Sequence, residues 1–301
     1  MEIKKDLELS KEQNTLLVMH SVLNIFNVII YNLMRLDNAY GNSAIIEELQ
    51  EVVLDAANRL GNPVESLMVL EEVGVLRARI DQGLDRFLIE LREKTEPESM
   101  YWEVNDTLLS VYDILGIRSR ELLSRKDDEN EWVTYSAEGL RDDLVNTFHA
   151  VEQNGYGAYK IVFRAEDHDE KAYLVKIKTR SINGDVLRMP RVFQDIIRDL
   201  IANSRKYSLP GSTIITEIED SVTSFLLSVK DEGVGMELSE IEDLVDFGKR
   251  GSNTSNRPTR GGGFGLTKAY YFTRAYGGRF WIESELGKGT VIRIEIPLRS
   301  A

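Results

Sequence analysis

Cysteine is absent from all 301 residues, and proline, tryptophan and histidine are scarce, at 6, 3 and 3. Without cysteine there is no disulfide framework and no thiolate metal site, and a reducing, cytoplasmic setting is expected. A basic excess is also missing: the net charge is −13, which argues against nucleic-acid binding through a basic face. The start, MEIKKDLELSKEQN, is charged and has no apolar signal-peptide core. No long run is free of polar residues either. The most apolar stretch, from about residue 15 to 34, carries His20, Ser21, Asn24, Asn27 and Asn32, all expensive in hydrocarbon. No membrane span is therefore expected.

What is present is unevenly distributed. Up to residue 130 there are 25 acids against 14 bases, leaving 25 against 23 in the rest. The composition, 42% hydrophobic and 29% charged, is that of a globular protein, and the length allows two domains. Residues 9–38 read as one long helix, with Gln13, His20, Asn24, Asn27, Tyr31 and Asn38 on a single stripe at about 100° per residue. A helix apolar around most of its surface suits a bundle, with that stripe at the surface. Further helices are expected at about 43–60, 63–94 and 98–124, their apolar positions recurring at three and four. The charged run SRKDDENE, 124–131, is the expected boundary between domains 1–130 and 131–301. After a short helix, SAEGLRDDLVNTFHAV, the pattern changes. Alternating β-branched segments such as AYLVKIKTR, STIITEIED and GTVIRIEIPL are interleaved with the helices RVFQDIIRDLIANSRKYS and GLTKAYYFTRAY. The fold class is an N-terminal antiparallel helical bundle followed by an α/β domain.

Four elements of the second half point to one nucleotide site. In RDLIANSRKYS, Asp199, Asn203 and Lys206 project from one helix face. An amide oxygen suits Mg²⁺ beside phosphate, and a lysine neutralises phosphate charge. In VKDEGVGM, Asp231 closes a strand and Gly233 and Gly235 follow it. A buried carboxylate can accept from an exocyclic amine, and glycine lets the backbone approach a flat base. In RGGGFGLTKAYY, glycines 261, 262, 263 and 265 precede a helix, whose N-terminal amides form an anion site. Last, GGRFWIESELGKGTVIRIEIP pairs two strands and presents Thr290. Each element alone is ordinary; the order and spacing of all four are not.

Together they resemble the ATP-binding domain of the superfamily of histidine kinases, gyrase, MutL and heat-shock chaperones, over about residues 135–301. RDLIANSRKYS is similar to the N box of that family, DEGVGM to its G1 box, GGGFGL to its G2 box, and LVDFGKRGS to the start of its ATP lid. The closing segment has the form usual in histidine kinases. The resemblance implies an α/β sandwich that binds ATP with Mg²⁺. Asn203 would hold the metal and Lys206 the phosphates, while Asp231 would read adenine. Gly233, Gly235, Gly261, Gly263, Gly265 and Leu266 would shape the pocket. Tyr207, Arg250 and Thr290 would add contacts, and a lid at about 247–262 would gate the site.

In histidine kinases such a domain follows a dimeric helical hairpin bearing the phosphoacceptor. Here H-S-V-L-N keeps His20 and Asn24 but has Ser21 where an acid sits and Ile25 where proline is common. The resemblance therefore implies a two-component histidine kinase, homodimeric through its N-terminal helices. His20 would receive the phosphate and pass it to an aspartate of a response-regulator receiver domain. A separate sensor or input protein is a possible further partner. The helices at 43–94 look inserted, so the hairpin partner of the first helix is either 43–94 or 98–124. Two other readings stand beside this one. Asp199 occupies the place of the acidic base in the superfamily's ATPases and serine kinases. Ser21, in turn, suits a nucleotide-binding pseudokinase or phosphatase that docks a regulator.

Overall fold

The computed structural model describes residues 1–124, 132–153, 159–252 and 263–298. It forms two compact units, Leu9–Asp127 and Met1–Glu8 together with Asp128–Ala301.

The first unit is helical: α1 (Lys11–Tyr40), α2 (Ala44–Arg59), α3 (Glu65–Glu71), α4 (Val73–Glu93) and α5 (Ser99–Ser124). Ser10 and Gln13 form a reciprocal capping box at the start of α1, and Gly41, at φ 74°, ends it. The stretch expected as one helix at 63–94 is broken at Glu72, between α3 and α4. The links between helices are short. Helix α1 packs against α2 and α5, α2 also against α4, and α4 against α5. The four long helices thus close a ring within one chain. The two candidate partners of α1 turn out not to be alternatives, because α1 lies between them.

The apolar face of α1 supplies Leu17, Val22, Phe26, Ile29, Leu33 and Leu36, all fully buried. Each such side chain contributes roughly 1.5–3 kcal/mol of transfer free energy before entropy is counted. The helix is long and apolar enough to cross a membrane by length and composition, but these positions are filled by protein. The polar stripe is not the exposed surface that its wheel position implies. Of its six residues only Asn38 is exposed, and His20 is buried at 7%. A helix contacted on two sides has little circumference left for solvent.

The second unit is built on a seven-stranded mixed sheet. The strands are β1 (Glu2–Ile3), β3 (Lys160–Val162), β4 (Ala172–Ser181), β6 (Thr213–Asp220), β7 (Ser224–Asp231), β8 (Arg279–Glu285) and β9 (Gly289–Pro297). Their order across the sheet is β1-β8-β9-β7-β6-β4-β3. The β3–β4 and β4–β6 pairs are parallel and the others antiparallel. A separate ribbon pairs β2 (Trp132–Ser136) with β5 (Val186–Pro190). Three helices accompany them: α6 (Ala137–Gln153), α7 (Val192–Tyr207) and α8 (Phe264–Ala275). Helices α7 and α8 pack on each other and on the central strands. The alternating burial of β6 and β7 records the covered face.

The expected division at 130 holds poorly at the chain's start. Residues 1–8 belong to the second unit, because Glu2–Ile3 adds an edge strand to β8 and Ile3 is fully buried. Glu2 accepts a two-pronged ion pair from Arg279, Lys5 bridges Asp243 and Asp246 at 3.0 and 2.7 Å, and the Tyr270 hydroxyl donates to the Lys5 carbonyl. The helical unit is therefore inserted into the chain of the second one. A two-residue strand is too short to show a period, so nothing in the sequence marked it.

Candidate functional site

Helix α7 carries the first group of candidate residues. Asp195, Asp199 and Asn203 recur every four residues and so line one face. That face meets the first turns of α8: a Cβ added to Gly265 would lie 2.6 Å from Asn203 Nδ2 and 3.6 Å from Asp199 Cβ. A side chain at Gly265 would displace the end of the Asn203 side chain, so the glycine leaves that amide its place. Lys206 and Tyr207 close α7, with Lys206 Nζ 5.2 Å from the Tyr207 ring centre. Burial, with the nearby cations of Arg250 and Arg205, lowers the Lys206 amine from its usual range to about 8. A lysine so placed sits in a cationic environment suited to an anion.

Asp231 ends β7 opposite Thr290 of β9. Its Oδ1 accepts from the backbone N–H groups of Gly233 and Thr290 at 2.9 and 3.1 Å, and its Oδ2 from the Ser204 hydroxyl at 3.0 Å. Burial raises its proton affinity, and these three donors oppose that shift. A carboxylate has about four lone-pair sites, so three donors leave Oδ2 one acceptor direction for a ligand amine. Beyond Asp231 the loop doubles back, with Val234 N–H donating to the Tyr207 carbonyl and Gly287 N–H to the Val234 carbonyl. Gly235, at φ 67°, passes so near the backbone that a Cβ would lie 2.0 Å from the Glu285 carbonyl. No other residue type fits there.

Gly263 precedes the 12-residue helix α8 (Phe264–Ala275), whose first turn carries the N-terminal partial positive charge of the helix dipole. Thr267 Oγ1 donates to the Asp246 carbonyl, and the Phe264 ring lies 4.7 Å from that of Phe247. The segment at 243–252 is thereby fixed to the start of α8. Leu266 is half-buried on the first turn of α8, and Arg250 is exposed. Gly261 and Gly262, with most of the expected lid, lie outside the described residues.

The second unit thus brings Asn203, Lys206, Tyr207, Asp231, Gly233, Gly235, Gly263, Gly265 and Thr290 onto α7, α8 and the adjoining ends of β7 and β9. An orphan acceptor direction on Asp231, a glycine cradle against Asn203 and a depressed lysine fit a purine nucleotide with its phosphates. One amide ligand also fits Mg²⁺, which keeps most of its shell as water and phosphate oxygen. Among the described residues there is no cluster of three or more His, Cys, Asp or Glu side chains able to hold a metal unaided.

Three participants escaped the sequence reading. Ser204 was hidden because only the turn of α7 toward β7 gives it a role. Asp195 and Lys268 are each 1% exposed, and the signal was a lone cation within the apolar run FGLTKAYYF.

In the helical unit, Asn24 Nδ2 lies 3.2 Å from His20 Nε2. Ser21, next to it, accepts from Arg118 Nη2 of α5 at 3.0 Å, and Arg118 is in turn paired with Glu121. His20 and Asn24 are thus brought together. Asp199, the third candidate catalytic residue, lies in the second unit, on α7.

Residues 189–300 match the family described as Histidine kinase-, DNA gyrase B-, and HSP90-like ATPase. The chain is 32% identical to the sensor histidine kinase WalK of Bacillus subtilis over 106 residues, 35% of this chain and 17% of that protein. It is 29% identical to the sensor protein SrrB of Staphylococcus aureus over 120 residues, 40% of this chain and 20% of that protein. The chain thus spans at most a fifth of the length of these relatives. Among solved structures, the catalytic domain of histidine kinase ThkA aligns with 56% of this chain and 95% of its own, at 18% identity and a TM-score of 0.40. A mycobacterial sensor histidine kinase, MprB, aligns with 57% of this chain and all of its own, at 16% identity and a TM-score of 0.39. The resemblance drawn from the four boxes is borne out: residues 189–300 match the ATPase family that the histidine kinases share with DNA gyrase B and HSP90.

Proposed function

We propose that this chain, whose residues 189–300 match that ATPase family, is an ATP-dependent protein histidine kinase of a two-component system. It phosphorylates His20 and passes the phosphoryl group to an aspartate of a response-regulator receiver domain. The observation that carries this reading is the His20–Asn24 contact on α1. An amide nitrogen only donates, so the contact makes Nε2 the acceptor and leaves the proton of the neutral ring on Nδ1. Nε2 then holds the nucleophilic lone pair, which Asn24 aims and must release as the N–P bond forms. The bond between Pγ and the β,γ-bridging oxygen breaks, and ADP leaves.

The roles in the second unit follow from the geometry above. Asp231 accepts from the adenine amine, and Gly233 and Gly235 admit the base. Lys206, Arg250 and the α8 amides that follow Gly263 take the phosphates. Asn203 is the protein ligand for Mg²⁺, which when bound neutralises phosphate charge. Catalysis comes from positioning and electrostatics, as in phosphoryl transfer generally. Ser21, bound to Arg118, stands where an acid would serve as base. A missing general base costs about 10²–10⁴-fold, so His20 phosphorylation is expected to be slow.

The homodimer through the N-terminal helices stays part of this reading, with one constraint. The α1–α5 pair already packs against α2 and α4 of its own chain, so a second copy has to use outer faces of the bundle. The absence of cysteine and the filled apolar face of α1 support a cytoplasmic protein without a membrane span in these residues.

The test is incubation with γ-labelled ATP, wild type beside His20→Ala. Acid-labile, base-stable label on the wild type, lost in the variant, is the expected result. Acid-stable label, or nucleotide binding without any label, would overturn it.

A further inference from the structure

Between α7 and α8 lies a cluster of charges that nucleotide binding does not use. Lys268 of α8 is 1% exposed, and its Nζ sits 3.8 Å from Asp195 Oδ2 and 3.4 Å from Asp199 Oδ2. Asp195 is equally buried and is also met by Arg198 at 3.4 Å. Neither Lys268 Nζ nor Asp199 Oδ2 makes a hydrogen bond among the described residues. Their contact is ionic. A buried pair of this kind adds little net stability, because desolvating both charges offsets their attraction. An apolar side chain of similar volume would serve packing at least as well, so the lysine calls for another explanation.

Its place in the site supplies one. Asp199 stands one turn before Asn203 on the same face of α7, and both face Gly265 at the start of α8, where a Cβ would lie 2.6 Å from Asn203 Nδ2 and 3.6 Å from Asp199 Cβ. Asp199 is therefore a carboxylate beside the N-terminal amides assigned to the phosphates. A carboxylate there can accept a proton from water as the water oxygen bonds to Pγ and the bond from Pγ to the β,γ-bridging oxygen breaks, giving ADP and inorganic phosphate. The Lys268 ammonium, 3.4 Å from Oδ2, holds that oxygen in an ion pair and so occupies the atom that would otherwise face water.

We propose that Lys268 is a positioning residue that ties up the Asp199 carboxylate and so protects the bound nucleotide from hydrolysis. This rests on the nucleotide-site reading but not on the identity of the phosphoacceptor. Without Lys268, the Asp199 side chain, 18% exposed, loses the cation that holds its Oδ2 and can turn toward water beside the phosphate site.

The experiment measures phosphate release from ATP in a His20→Ala background, where no turnover of phosphohistidine contributes. Lys268→Met is expected to raise release at saturating ATP by about tenfold or more, a fraction of what general bases supply. The gain should vanish in Lys268→Met/Asp199→Asn. A merely structural lysine would not give a gain of activity that depends on Asp199. Should Lys268→Met fail to bind nucleotide, Asp195→Asn/Lys268→Met, which removes one of the two repelling charges, is measured in the same way. Unchanged phosphate release in a variant that binds ATP, or a gain that survives Asp199→Asn, overturns the proposal. Loss of His20 label in the earlier test would leave this result standing.

Discussion

The two units place their chemistry in different kinds of position. In the second, glycines stand where an added side chain would strike the site: Gly265 beside the Asn203 amide, Gly235 against the Glu285 carbonyl. In the helical unit, His20 and Asn24 occupy ordinary helix positions amid interlocking apolar side chains. A site of the first kind tolerates almost no substitution and leaves a dense sequence signature. A site of the second kind rests on packing that many apolar combinations satisfy, so its signature is one histidine and one asparagine.

Substitutions that strike one unit and spare the other test this contrast. Phe26→Ala empties a fully buried position of α1. It should cost about 3–5 kcal/mol in the bundle's unfolding transition and leave ATP affinity of the folded protein within twofold. Coincident loss of ATP binding in the folded variant would break the separation. Gly265→Ala does the reverse. Alanine favours a helix by about 1 kcal/mol, so the bundle and α8 should stay intact. Displacement of Asn203 should lower phosphoryl transfer by about 10²-fold, read as initial rates of label incorporation. Ile3→Ala asks to which unit the first residues belong. It should destabilise the second unit by about 2 kcal/mol and leave the helical transition unmoved, as calorimetry would resolve.

The smallest effect concerns pH. Lys206 is depressed to about 8 by burial and by Arg250 and Arg205, and phosphate binding needs it protonated. ATP affinity should therefore be full below pH 8 and fall by up to about tenfold per unit above it. Lys206→Met should flatten this dependence. An affinity independent of pH between 7 and 9.5 would remove Lys206 from the phosphate site.

The first unit was legible as helices but not as an arrangement. Periodicity located α1, α2 and α5 closely, because an apolar face repeats locally. It could not tell which helices touch, since the faces of α2 and α5 are chemically alike. The closed ring, and with it the placement of α1 between both candidate partners, came from three-dimensional packing. The same limit hid the burial of His20: a wheel orders residues around an axis but does not count the neighbours covering it. In the second unit Asp231 was legible and its three donors were not. Gly233 N–H is local, whereas Ser204 and Thr290 come from 27 residues before and 59 after.

The sequence by itself determined the two-domain plan, the helical character of the first half and the nucleotide boxes of the second. Their information is local: charge, period, and glycines where the backbone must pass. Only the tertiary structure decided that the chain's first eight residues complete the second unit's sheet, and that Arg118 reaches Ser21. It alone showed Lys268 sitting between Asp195 and Asp199, about seventy residues away in the chain. Those facts depend on which side chains meet across long separations, and no local pattern encodes such meetings.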